Sequence, residues 1–253
     1  MKDTKKHILL LSFLVLCPLM AMFGNELFEK ANQAYNQKEY SQAITLYEDL
    51  VKEGYVDAIV YYNMGNAYYK DGQLAKSLLW YERALRLEPA NEDIKHNIAF
   101  VNQQTIDKME IQPEFFLKEW IGAIQNLFPS RGWAILSVVL GVCLCVSVVL
   151  MLVFSTSKGR TSMFLSACVC FILAIVSITF ANLQAKNAHR TDEAVIMRKM
   201  LTVKSTPDTS GTDLFTVHEG LKVRITDEAG SWIEVRFANG NKGWIMKETV
   251  EII

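Results

Sequence analysis

Apolar positions follow three spacings in turn along this chain, and each marks a different kind of element. From Asn25 to Asp107 they recur every three to four residues, the repeat of helices with one buried face. The stretch YYNMGNAYYKDGQLAKSLLWYERALRLEP, Tyr61–Pro89, reads as two short amphipathic helices ended by a proline. Trp133–Phe154 and Met163–Leu183 then run without a charged residue. At about 1.5 Å per residue each reaches roughly 32 Å, enough to cross a hydrocarbon core. After Leu183 the spacing falls to two: Leu221, Val223 and Ile225 alternate, as do Ile233, Val235 and Phe237. Asn239-Gly240 supplies a turn, and a further strand begins at Gly243-Trp244. The pattern predicts a multidomain membrane protein: a helical segment at 25–107, a two-helix transmembrane hairpin and a small all-β domain at 193–253.

Charge gives the hairpin a direction. The chain starts with Lys2, Lys5 and Lys6, an apolar run Ile8–Leu16, and small residues at Ala21 and Gly24. That is the layout of a secretory signal, here residues 1–24, whose cleavage stays open. Leu16 is bulky for a residue preceding an acylated cysteine, so Cys17 is not read as a lipidation site. Between the spans 133–154 and 163–183 lies a turn, 155–162, with Lys158 and Arg160, and positive residues in short loops stay cytoplasmic. Both flanking domains then lie on the exported side. Just before the first span, within 108–132, Pro113–Pro129 places Phe116, Trp120, Ile124 and Leu127 on one helical face. This suits either an interfacial helix lying on the membrane or a helix packed against the preceding domain.

The chain is 253 residues long and 51% hydrophobic with a formal net charge of −1. Residues 25–107 carry about five negative charges net and 108–189 about three positive, so no block is basic enough for nucleic acid. The five cysteines stand at 17, 143, 145, 168 and 170, and the two flanking domains have none, which excludes a disulfide framework there. C-x-C side chains on a helix point in different directions, so no metal site is expected. The small residues Ser137, Gly141 and Cys145 in the first span, and Ser166, Cys170 and Ala174 in the second, recur every four positions instead. That spacing would form a membrane seam with Cys145 and Cys170 at similar depth.

The first domain matches itself at one fixed offset: Ala31 falls on Gly65, Tyr35 on Tyr69, Tyr40 on Leu74, Ala43 on Ser77 and Tyr47 on Tyr81. This resembles the tetratricopeptide (TPR) repeat, whose period is 34. Lys30, Ala34 and Ser77 depart from its usual residues. Glu92–Lys108 lacks a second repeat helix and looks like a solenoid cap, giving two repeats plus a capping helix over 25–107. The resemblance implies a groove for segments of other proteins. Phe28, Asn32, Tyr35, Tyr62, Asn63, Asn66 and Tyr69 are the peptide-binding candidates, because amides and hydroxyls can bond an extended backbone. For Tyr35 and Tyr69, packing between repeats is an equal alternative. Phe28, Asp93 and Asn97 stand where the family's carboxylate clamp has basic residues, so capture of a C-terminal carboxylate is not expected.

In the all-β segment, Pro207, Phe215, His218-Glu219-Gly220, Val223, Trp232, Val235, Asn239-Gly240 and Gly243-Trp244-Ile245 resemble a bacterial SH3-like (SH3b) domain. Such domains are similar in binding wall peptides or protein segments. Trp232 and Trp244 are expected in the core of so small a barrel rather than in a ligand groove. The histidines at 7, 96, 189 and 218 have no partner at zinc spacing, and no nucleophile elbow or phosphate loop occurs. The chain reads as non-catalytic and cofactor-free. Its order of signal, TPR, interfacial helix, hairpin and SH3b resembles the BatE-type proteins of the Bacteroides aerotolerance operon family. That resemblance implies a multi-pass Gram-negative inner-membrane protein with TPR and SH3b in the periplasm. Its implied partners are von Willebrand factor A domain proteins of the same operon, linked indirectly to a MoxR-type AAA ATPase. The function implied is a scaffold in an envelope stress or aerotolerance complex. A wall-sensing module, with SH3b binding peptidoglycan peptides and TPR recruiting an effector, is the alternative.

Overall fold

The computed structural model describes residues 26–108 and 116–253, with the side chains of 117–119 excepted. The signal segment 1–24, Cys17 and Pro113 lie outside the described residues. By packing, the chain divides into two units: the repeat helices together with the C-terminal sheet, and the apolar helices.

The repeat helices are α1 (residues 26–36), α2 (Tyr40–Lys52), α3 (Ala58–Lys70), α4 (Leu74–Leu87) and α5 (Glu92–Asn102). Asp57 caps α3, its carboxylate accepting the Ile59 N–H at 2.7 Å. The ends of α1 and α3 close identically, one repeat apart. Lys38 N–H donates to the Tyr35 carbonyl and Glu39 N–H to Ala34; Gly72 and Gln73 do the same to Tyr69 and Tyr68. Gly72 suits the left-handed backbone this needs, at φ 80°; Lys38 adopts φ 65° in its place. Small and large residues then interlock. Ala31, Ala34, Ala43 and Ala67 admit Tyr47, Leu50, Met64 and Tyr68 into one core. Gly65 is required by its neighbour: a Cβ there would lie 2.5 Å from the Tyr81 ring.

The C-terminal sheet has seven antiparallel strands: β1 (Glu193–Ile196), β2 (Met200–Lys204), β3 (Asp213–His218), β4 (Lys222–Ala229), β5 (Trp232–Arg236), β6 (Lys242–Met246) and β7 (Val250–Ile252), in the order β3-β2-β6-β5-β4-β1-β7. Its core joins Val217 of the edge strand β3 to Ala194 and Ile196 of β1 near the other edge, so the sheet curls around one centre as a small barrel. Register shifts at Val203/Lys204 and Ile225/Asp227 supply bends. The tryptophans are not core residues. Ile233, Val235 and Ile245 point inward, so strict alternation puts Trp232 and Trp244 on the other face, half-exposed and opposite Met246 and Glu234.

In the apolar unit, α6 (Phe116–Gln125) precedes α7 (Ser130–Val153) and α8 (Ser157–Ala188). The last two are about 36 and 48 Å long. Their most apolar 18-residue stretches have mean hydropathies of 3.0 and 2.6, and only 6% and 17% of those stretches are covered by protein. Both are long and apolar enough to cross a membrane, and neither is wrapped like a soluble core helix. The connection is tighter than the expected 155–162 turn. Thr156 caps α8, its hydroxyl accepting the Gly159 N–H, so Lys158 and Arg160 sit in the first helical turn.

The seam also departs from the four-residue spacing. Ser137 and Gly141 are half-buried, but a Cβ at Gly141 would meet nothing within 4 Å, and Cys145 is exposed. Packed helices follow a 3.5-residue seam, so repeated steps of four drift off it. The line runs instead through Leu144 to Ser147, whose hydroxyl meets that of Ser166 at 3.1 Å. Cys170 and Ala174 are half-buried on α8. Buried Gln184 donates to the Gln125 carbonyl and the Asn126 side chain, both at 2.9 Å, and the Trp133 indole donates to the same Gln125 carbonyl. These bonds fix the C-terminal end of α6 to the hairpin. Phe116, Trp120 and Ile124 of α6 are exposed, as is Leu127 in the turn that follows, which leaves that apolar face uncovered among the described residues.

Candidate functional site

The face formed by α1, α3 and α5 carries a ladder of asparagines held from behind by tyrosines. The Tyr47 hydroxyl donates to Asn32 Oδ1 at 2.6 Å, and Asn63 Nδ2 donates to the same oxygen at 3.2 Å. One repeat later the pattern returns. The Tyr81 hydroxyl donates to Asn66 Oδ1 at 2.6 Å, and Asn97 Nδ2 donates to that oxygen at 3.1 Å. All three positions shift together by one repeat, so the period of the helices is also the period of the hydrogen bonds.

The tyrosines are suited to fix the amides. Tyr47 and Tyr81 are 1% and 2% exposed, so their rings cannot turn freely. Burial pushes the Tyr47 phenol up to about 12, an Asn63 hydrogen bond opposing it, and burial raises that of Tyr81 as well. Both remain protonated donors at neutral pH. Each asparagine oxygen therefore faces its tyrosine, which turns the Asn32 and Asn66 NH₂ groups away. Among the described residues no hydrogen bond engages those NH₂ groups or Asn63 Oδ1.

These groups open into a concavity of about 420 Å³ lined by Glu29, Asn32, Tyr35, Asn36, Tyr47, Asn63 and Asn66. It holds a carboxylate and no lysine or arginine. Of the sequence candidates, Asn32, Tyr35, Asn63 and Asn66 line it. The other three do not, although each is placed by an aromatic contact. Half-buried Phe28 lies 6.3 Å from the Tyr47 ring. Tyr62 packs against Tyr81 at 5.8 Å, and its hydroxyl accepts from Asn97 Nδ2. Tyr69 packs edge-on against Phe100, and its hydroxyl accepts from Gln104 at 3.0 Å. Tyr35, although it lines the concavity, also packs edge-on against Tyr40 at 5.5 Å.

Sequence reasoning missed Glu29 and Asn36 as lining residues, Tyr47 and Tyr81 as orienting groups, and Asn97 as the last rung. The signal was present: Asn32/Asn66, Asn63/Asn97 and Tyr47/Tyr81 are all pairs at the repeat offset. Residues 28–92 match the family model described as Tetratricopeptide repeat, and residues 200–251 match that of the Bacterial SH3 domain. The chain thus contains one segment similar to each of these two kinds of module. Both are typically non-catalytic interaction domains, which agrees with a site made of amides and phenols. No curated protein matches the chain.

Proposed function

We propose that this protein is a non-catalytic, membrane-anchored scaffold whose TPR groove holds an extended segment of a partner protein. The oriented asparagine ladder is the observation that carries this reading. An extended backbone offers N–H and C=O groups in alternation, and the groove presents amide donors at Asn32 and Asn66 beside an acceptor at Asn63. Glu29, with no basic residue in the lining, favours neutral or basic segments and disfavours a terminal carboxylate. The resemblance to BatE-type proteins supplies the setting: a multi-pass inner-membrane protein with both modules periplasmic. Its partners there are von Willebrand factor A domain proteins in an envelope stress or aerotolerance complex, with an indirect link to a MoxR-type ATPase. The signal segment, Lys158 and Arg160 support that orientation.

The test is affinity capture from gently solubilised membranes, with mass spectrometry identifying a von Willebrand factor A domain protein in the eluate. Changing Asn32, Asn63 and Asn66 together to alanine should abolish its recovery. Undiminished recovery would remove the groove from the function. One observation favours the wall-sensing alternative: Trp232 and Trp244 lie on the outer face of the barrel, where aromatic surface could meet a wall peptide. Sedimentation of the full chain with peptidoglycan, lost in a Trp232→Ala/Trp244→Ala variant, would favour that reading instead.

A further inference from the structure

Helix α4 contains the run Leu78-Leu79-Trp80-Tyr81, and these residues are 2%, 0%, 9% and 2% exposed. Four neighbours at about 100° each cover most of a helix circumference, so partners on one side cannot bury them all. The repeats account for two of them: Trp80 packs on Tyr61 in the repeat core, and Tyr81 faces Gly65. Leu79 packs against Val195, Ile253 and Met197 of the barrel, in a cluster separate from the core of either domain. Val195 is fully buried although its neighbours Ala194 and Ile196 point into the barrel centre. Alternation along β1 thus sends Val195 outward, onto α4.

Polar contacts surround this apolar centre. Asp107, beyond α5, accepts the His218 N–H at 2.6 Å and meets His218 Nδ1 at 3.1 Å. Gly220, at φ 89°, lies so close that a Cβ would be 2.9 Å from Thr105 and 3.3 Å from Leu78. Lys222 Nζ lies 2.9 Å from Glu82 of α4 and 3.1 Å from Glu193 of β1. Burial works against its charge, but the two carboxylates hold the ammonium above its usual range. The Arg83 guanidinium donates to the Ile252 carbonyl of β7.

We propose that the outer side of α4 is a docking site for the chain's own barrel, so that TPR and SH3b modules act as one fixed body rather than two tethered ones. The contacts place the barrel on the second helix of the repeat, while the asparagine ladder lies on the first helices. The groove therefore stays open with the barrel in place. Two domains in contact must also lie on one side of a membrane, so the chain between them crosses an even number of times. That agrees with two spans and is independent of loop charge.

Hydrogen exchange on the full chain in detergent micelles tests this. Val195→Lys places a charge against Leu79 without entering the barrel core. It should raise exchange at least tenfold in residues 78–84 and 250–253 and leave β5 and β6 protected. Lys222→Glu should do the same more weakly, and Glu82→Lys added to it should restore protection. Unchanged exchange in 78–84 with both single variants would overturn the proposal. Protection that falls on dilution would overturn the assignment to one chain, since it would mean docking between copies. Should Val195→Lys unfold the barrel, the Lys222/Glu82 pair decides: rescue supports docking, and purely additive effects refute it. Loss of partner capture plays no part in this readout, so the groove and the docking face stand or fall separately.

Discussion

The ladder makes a sharp energetic prediction at Tyr81 and Asn66. Tyr81→Phe removes one buried hydroxyl and keeps the ring. A neutral hydrogen bond contributes about 1 kcal/mol net. Asn66 Oδ1 would still accept from Asn97 at 3.1 Å, so no orphaned acceptor adds to the cost. Asn66→Ala is different. It takes the acceptor from the deeply buried Tyr81 hydroxyl, whose contact with Asn97 Nδ2 at 3.4 Å is to another donor. That change should cost about 2 kcal/mol or more. In the double variant the stranded hydroxyl is gone, so the combined loss should fall short of the sum by about 1 kcal/mol. Native-state hydrogen exchange of α3 and α4 in the full chain measures the opening free energies that the cycle requires. Single effects that add to within about 0.3 kcal/mol would show that these groups are not coupled, and that the phenols do not orient the amides.

Tyr47 titrates near 12 in the fold against 10 when exposed, so the unfolded chain loses that proton first as pH rises. Its contribution is complete below about pH 10 and declines toward pH 12 by roughly 2–3 kcal/mol, a loss that Tyr47→Phe should abolish in alkaline denaturation followed by circular dichroism. Ser77 is fully buried and its hydroxyl makes no hydrogen bond among the described residues, the nearby Tyr81 phenol already donating to Asn66. Ser77→Ala should therefore stabilise the repeats by about 0.5–1 kcal/mol in chemical denaturation. Lys38 holds a left-handed backbone that Gly72 provides in the second repeat, and Lys38→Gly should add up to about 1 kcal/mol by the same assay.

Most of the architecture is local and therefore legible in the sequence. A repeat offset, uncharged runs of span length and two-residue alternation each follow from one chain segment and one periodicity. Candidate groove residues can be placed on a helix face for the same reason. The departures arise where neighbours decide. Size alone puts Trp232 and Trp244 in the core, but β5 and β6 alternate, and Ile233, Val235 and Ile245 already occupy the inner face. Steps of four assign Cys145 to the seam, and a packed helix pair does not keep those steps. Tyr47 and Tyr81 recur at the repeat offset, but spacing alone does not say which side chain on the preceding helix each hydroxyl meets.

The amino-acid sequence by itself determined which segments are helices, strands and membrane-length spans, because these depend on backbone hydrogen bonds and on the apolar faces nearby residues create. It also determined that the repeats would carry matching asparagines and tyrosines. Only the tertiary structure decided which atoms of those amides face the groove, since that depends on buried phenols arriving from the opposite helix. It alone decided the partner of Leu79. Nothing within α4 states that a strand far along the chain will cover it, because burial at long range is settled by packing geometry and not by local pattern.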